Sequence, residues 1–178
     1  MGNIDCHGFN VKSAVLAALL LCSSGMRAEE AGAAPDTKSM GQQNSPQIWL
    51  TSGFLSHHFK RDAGYNERNY GLGAELQFDQ TNAMAAGVYR NSVRQTTHYL
   101  HFVWTPLELG PLRLGAAAGI IDGYPQLNNG GTSFAVMPVA STSFKVLAQD
   151  AGLNFVYIPT VARRVDGALA LQLKIRVR

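Results

Sequence analysis

The sequence predicts an all-β chain, an eight-stranded antiparallel transmembrane β-barrel preceded by a cleaved signal peptide. From residue 47 onward, short runs that alternate apolar with polar or small residues are separated by Gly, Asn, Asp and Pro at intervals of about 10–14 residues. Charged residues make up 15% of the chain, where soluble domains average about 25%. Mean hydropathy is nonetheless near neutral at -0.03. Few charges without a long apolar run suit a barrel that alternates two faces.

The 178 residues suffice for one domain. A net charge of +3 is too weak to argue for nucleic acid, and no basic cluster interleaved with aromatics is present. Residues 1–28 read as a signal peptide. Lys12 supplies positive charge, residues 13–22 (SAVLAALLLC) are the apolar stretch, and small residues follow up to Ala28. The apolar stretch falls short of the roughly 20 residues that cross a bilayer. Both cysteines, Cys6 and Cys22, lie in this segment, so the mature chain would carry none, which fits export to an oxidising compartment. The leucines before Cys22 make a poor lipidation site, where small residues should stand. Residues 29–46 are small, polar and proline-bearing and read as a flexible periplasmic lead-in to a barrel over 47–178.

The first strand is expected over 48–59, followed by a polar loop to 68. The second, 69–78, sets Tyr70, Leu72, Ala74, Leu76 and Phe78 against Gly71, Gly73, Glu75 and Gln77. A turn at 79–82 leads to the third strand, 83–91. The fourth, 96–105, opposes Leu100, Phe102 and Trp104 to Tyr99, His101, Val103 and Thr105, with a turn at 106–111. The fifth is 112–122, the sixth 134–144, the seventh 150–158 and the eighth 167–178. In the eighth, Leu169, Leu171, Leu173, Ile175 and Val177 alternate with Ala170, Gln172, Lys174 and Arg176.

An even number of strands of about 9–12 residues matches tilted strands crossing hydrocarbon. Pairing the eighth with the first would leave no edge. Short turns after strands 2, 4 and 6 would face the periplasm, and the longer loops would face outward. Alternation alone leaves open a soluble lipocalin-like barrel, whose apolar face points in. Trp49, Tyr70, Phe78 and Trp104 are candidates for aromatic girdles. His98 and His101 should face opposite sides, so a shared metal is not expected.

Two further patterns bear on function. The fifth strand is small or apolar on both faces (Leu112, Leu114, Ala116, Ala118 and Ile120; Gly115, Ala117, Gly119 and Ile121). Small inward residues would leave room for an apolar guest, or for a lumen plugged by its own side chains. Pro138 lies inside the sixth run and Pro159 closes the seventh. Proline donates no ladder hydrogen bond, so the pair would open a window in the wall or simply end strands.

Taken together, His58-Phe59, Tyr65-Asn66-Glu67-Arg68 with Gly71, Tyr89-Arg90-Asn91-Ser92, Trp104-Thr105-Pro106-Leu107, Met137-Pro138-Val139-Ala140-Ser141 and Tyr157-Ile158-Pro159 resemble the outer-membrane lipid A palmitoyltransferases. The resemblance runs from about Phe54 to Arg178. It implies an eight-stranded barrel in a bacterial outer membrane, with an inner pocket for a phospholipid acyl chain entered laterally at the prolines. It implies catalysis by His58, with His57 as its rival, and by the Asn91-Ser92 pair, in which Asn91 stands where the family carries an acid. It implies transfer from phospholipid to lipid A by a monomer without metal or cofactor. Tyr99 would set the floor of the pocket.

In that chemistry His58 is a general base on a lipid A hydroxyl, Ser92 polarises the ester and Asn91 offers an oxyanion hydrogen bond. Arg61, Arg68 and Arg94, with Lys60 and Arg90, would gather at the outer rim to bind lipid phosphates, joined by Arg163 and Arg164. The alternatives are a catalytically inactive barrel that binds lipid or lipopolysaccharide, and a soluble periplasmic lipid carrier.

Overall fold

The computed structural model describes residues 45–161 and 164–177; the expected signal peptide and all but the last two residues of the lead-in lie outside them. The chain forms β1 (Gln47–His58), β2 (Arg68–Gln77), β3 (Asn82–Arg90), β4 (Thr96–Leu109), β5 (Leu112–Ile121), β6 (Ser133–Val146), β7 (Gln149–Ile158) and β8 (Ala168–Val177). Each strand pairs antiparallel with its neighbour, and β8 pairs with β1, closing the barrel. Closure satisfies the backbone of both would-be edges.

Seven of the expected strands end within about two residues of those observed. The fourth is longer: β4 runs through Pro106 to Leu109, and the chain reverses only at Gly110, whose φ is 57. Pro106 fits inside a strand because the β4–β5 register shifts between Trp104 and Leu107, where no regular ladder bond is missed. The turns at 78–81, 110–111 and 147–148 mark a short-turn end; the loops at 59–67, 91–95, 122–132 and 159–167 mark a long-loop end.

Apolar residues face out. Tyr70, Leu72, Leu100, Phe102, Trp104, Phe134, Val136, Phe155, Leu169, Leu173 and Ile175 are all exposed, forming a band around the wall. The lumen instead buries Thr51, Glu75, His101, Asn154, Gln172 and Lys174. This is the reverse of a lipocalin-like barrel, which hides its apolar face. Trp49 departs from the girdle expectation. It is buried in the lumen, where its Nε1 donates to Gln77 Oε1 at 3.1 Å and its ring lies 5.1 Å from Lys174 Nζ.

The cause is the phase of β1. Trp49 and Thr51 point inward and Leu50 outward; beyond Gly53, Phe54 and His58 point inward and Leu55 and His57 outward. The ladders on both sides shift register between Thr51 or Ser52 and Phe54. Such a bulge adds one residue and reverses the facing of everything after it. Only glycine fits at position 53, since a Cβ there would stand 2.0 Å from the Asn69 carbonyl oxygen.

A polar plug crosses the lumen. Lys174 Nζ lies 2.6 Å from Glu75 Oε1; Asn154 Nδ2 donates to Glu75 Oε2 (3.0 Å) and to Gln172 Oε1 (3.2 Å). Ser141 Oγ donates to Asn154 Oδ1 at 2.8 Å, and Gln172 Nε2 reaches the Ser52 carbonyl (3.0 Å) and Tyr99 OH (3.3 Å). Below the plug, at the short-turn end, is an open cavity of about 390 Å³ lined by residues including Trp49, Arg113, Lys145, Asp150 and Arg176.

One seam of the wall is incomplete. The β6–β7 ladder runs from Val146↔Gln149 to Val139↔Val156 and stops. Beyond it, Ser133 to Pro138 remain paired with β5, and Tyr157 and Ile158 remain paired with β8. The ladder therefore ends where Pro138, with no N–H, would come next.

Candidate functional site at the long-loop end

His58 is the last residue of β1 and turns into the barrel, 6% exposed. His57 faces out, its Nδ1 3.0 Å from Arg61 Nη1. The bulge at Gly53 thus decides between the two histidines, a choice that strict alternation from Trp49 would have reversed. The His58 Nδ1 is sealed from solvent without a hydrogen-bond partner. Its ring lies against Tyr65, centroids 4.4 Å apart and planes 32° apart. Tyr65 OH donates to Asp166 Oδ2 at 2.5 Å, and that bond, followed by desolvation, pushes the phenol pKa up.

Asn91 is fully buried and its amide is saturated. Its Nδ2 donates to Thr97 Oγ1 (3.0 Å) and the Gly123 carbonyl (2.7 Å); its Oδ1 accepts from the backbone N–H of Val93 (3.0 Å) and Gln95 (2.9 Å). An amide has two donor hydrogens and one oxygen with two lone pairs, so these four bonds use it completely. Asn91 ties the 91–95 turn to the loop after β5. Ser92 is also buried, beside the Tyr124 hydroxyl, and its carbonyl accepts from the Asn66 N–H at 2.8 Å.

The Tyr65-Asn66-Glu67-Arg68 block therefore joins the two halves of the candidate site. Tyr65 rests on His58, while Asn66 binds Ser92 through its backbone and Asn91 through Nδ2 (3.3 Å to the carbonyl). Among the described residues, no hydrogen bond links His58 to Asn91 or Ser92.

Tyr99 sits lower in the lumen. Its hydroxyl lies 3.4 Å from Thr51 Oγ1 and 3.3 Å from Gln172 Nε2. The ring tip occupies space left by the paired glycines Gly73 and Gly87, where a Cβ would come within 2.4 and 2.7 Å of the Tyr99 oxygen. Above it stand Phe54 and Tyr89, with centroids 6.1 and 6.0 Å from Tyr99 and 5.0 Å from each other. Between the expected open and self-plugged lumens, the small residues here make way for the barrel's own rings. His101 is likewise buried in the lumen beside Gly119, while His98 faces out to Asp122 (3.0 Å).

The arginines divide. Arg61 is paired with Glu67 at 2.6 Å, and Arg94 donates to the Gly64 carbonyl at 3.2 Å. Arg68 and Arg90 project outward above the apolar band, with no side-chain partner among the described residues. Pro138 is exposed on the wall at the end of the β6–β7 ladder, and Pro159 directly follows β7. Arg163 lies outside the described residues.

Sequence reasoning passed over Tyr65 and Asp166 as a pair, and Glu75 with Lys174. Each is joined across about a hundred residues. For Glu75 and Lys174 the available signal was a charge on an inward strand face; Tyr65 and Asp166 lie in loops, where alternation gives no signal. No protein-family model matches the chain, and no curated protein is significantly similar to it.

Proposed function

We propose that the chain is exported, folds as a monomeric barrel in a bacterial outer membrane, and transfers an acyl chain from phospholipid to lipid A at its long-loop end. The observation that carries this reading is the open β6–β7 seam at Pro138, which breaches the wall on the same half of the barrel that holds His58. The outward apolar band supplies the surface that hydrocarbon would contact and counts against a soluble carrier.

In the transfer, an acceptor hydroxyl gives its proton to His58 Nε2 as its oxygen attacks the ester carbonyl. The tetrahedral intermediate collapses, and the lysophospholipid oxygen leaves with that proton. Ser92 polarises the ester, and no metal or soluble cofactor is called for. Asn91 keeps the 91–95 turn that carries Ser92 in shape, rather than lending its amide to the reaction. Arg68 and Arg90 lie where lipid phosphates would meet the wall.

One observation favours a second reading, an inactive barrel that binds lipid or lipopolysaccharide: Phe54, Tyr89 and Tyr99 fill the lumen that an acyl chain would enter. Lipid A mass spectrometry from cells with and without the protein separates them. An added acyl mass that disappears in His58→Ala supports transfer. Unaltered lipid A with a correctly inserted barrel overturns it.

A further inference from the structure

We propose that Asp166, acting through the phenol of Tyr65, is the carboxylate that positions His58 and stabilises it once it has taken a proton. This rests on the acyl-transfer reading for its purpose, but the coupling itself is a property of the three side chains.

A histidine that works as a base needs its ring held and its positive state stabilised, usually by an acid beside the nitrogen that does not react. Here that nitrogen, Nδ1, is buried without a partner. Asn91 has no bond left to give. The charged groups facing His58 are Glu67 and Asp166, with His57 and Arg61 opposing them. Glu67 is already matched by Arg61 at 2.6 Å and is more than a third exposed, so water and the guanidinium together screen it.

Asp166 has no cation among the described residues; its bond is to Tyr65 OH at 2.5 Å. It precedes the end of the β8–β1 ladder, where His58 pairs with Ala168 and the Phe59 N–H donates to the Gly167 carbonyl at 3.0 Å. The backbone thus fixes where Asp166 sits relative to His58. The Asp166 bond fixes the Tyr65 ring, and the ring, 4.4 Å from the imidazole, fixes the histidine's face. Asp166 touches no substrate, so it is a positioning residue.

The test uses the full-length barrel refolded in detergent, with heat-modifiable gel mobility confirming insertion-competent folding of every variant. Asp166→Asn and Tyr65→Phe are each expected to lower kcat roughly 100-fold with KM little changed. The double variant should be no worse than the poorer single one, and Asp166→Glu should restore much of the rate. Glu67→Gln should change the rate far less. Independently of turnover, the ring signals of His58 are followed by NMR as pH is varied. The midpoint is expected to fall by roughly half a unit or more in Asp166→Asn and to recover in Asp166→Glu. An unmoved midpoint overturns the inference whatever the activity. A moved midpoint in a barrel that transfers nothing upholds the Asp166–His58 coupling and overturns the acyl-transfer reading instead.

Discussion

Lys174 and Glu75 meet in the middle of the barrel at 2.6 Å, both about 5% exposed, although 99 residues separate them in sequence. Removing one partner would strand the other in a site closed to water. Lys174→Met is expected to cost about 3–5 kcal/mol of unfolding free energy, and the double variant Glu75→Leu/Lys174→Met less than Lys174→Met alone. Urea unfolding of the refolded barrel gives both values, and a double variant at least as destabilised as Lys174→Met would show that the pair is not coupled.

Gly53 sets the facing of the second half of β1. Gly53→Ala would drive a methyl group to within 2.0 Å of the Asn69 carbonyl. The expected outcome is a loss of about 1–3 kcal/mol and weaker amide exchange protection confined to the β1–β2 and β1–β8 ladders beyond Thr51. Unchanged exchange there would mean the bulge has another cause.

Tyr99 closes the lumen beneath Phe54 and Tyr89. Tyr99→Gly, with Gly73 and Gly87 already opposite, should open a deeper cavity. If acyl transfer occurs, the added mass on lipid A should shift to longer chains. The same chain length in wild type and variant would show that Tyr99 does not limit depth.

Arg68 and Arg90 project from neighbouring strands above the apolar band. The double Arg68→Ala/Arg90→Ala barrel is expected to retain less lipopolysaccharide, measured as bound lipid by native mass spectrometry, with folding unaffected. Equal retention would assign phosphate contact elsewhere on the rim.

Asp79 closes the β2–β3 turn. Its carboxylate accepts from Asn82 Nδ2, from the backbone N–H groups of Thr81 and Asn82, and from Thr81 Oγ1. Led by the Asn82 side chain, these bonds lower its pKa from 3.8 to about 2. Because the folded value is depressed, this stabilisation is fully present above the unfolded pKa and is lost as pH falls through about 2. Asp79→Ala should therefore be less stable than wild type near pH 6, with a gap that narrows between about pH 4 and 2. A gap independent of pH would argue against a charge-dependent turn.

Strand number, order of faces and loop asymmetry were legible because period-two alternation survives in almost every strand. Leu169 to Val177 outward with Gln172 and Lys174 inward is the clearest example. The Trp49 orientation was not, since a one-residue bulge leaves no mark on composition, and Gly53 looks like any other strand glycine. Pro106 misled for a related reason: a proline beside a turn signal reads as the turn, and only the register shift shows that the strand continues. In the site, His58, Asn91 and Ser92 were visible as residues, but what each binds was not. Whether an amide is free depends on neighbours such as Thr97 and Gly123, which arrive only when loops fold together.

The reversal of facing at Gly53 also limits how this stretch can vary over generations. Losing the bulge with no residue removed would restore unbroken alternation, carry His57 into the interior and swing His58 to the outside, whereas deleting one residue between Thr51 and Phe54 would absorb the bulge and leave His58 facing in. Insertions or deletions in the outer half of the first strand should therefore survive only in pairs, or together with loss or regain of the bulge itself.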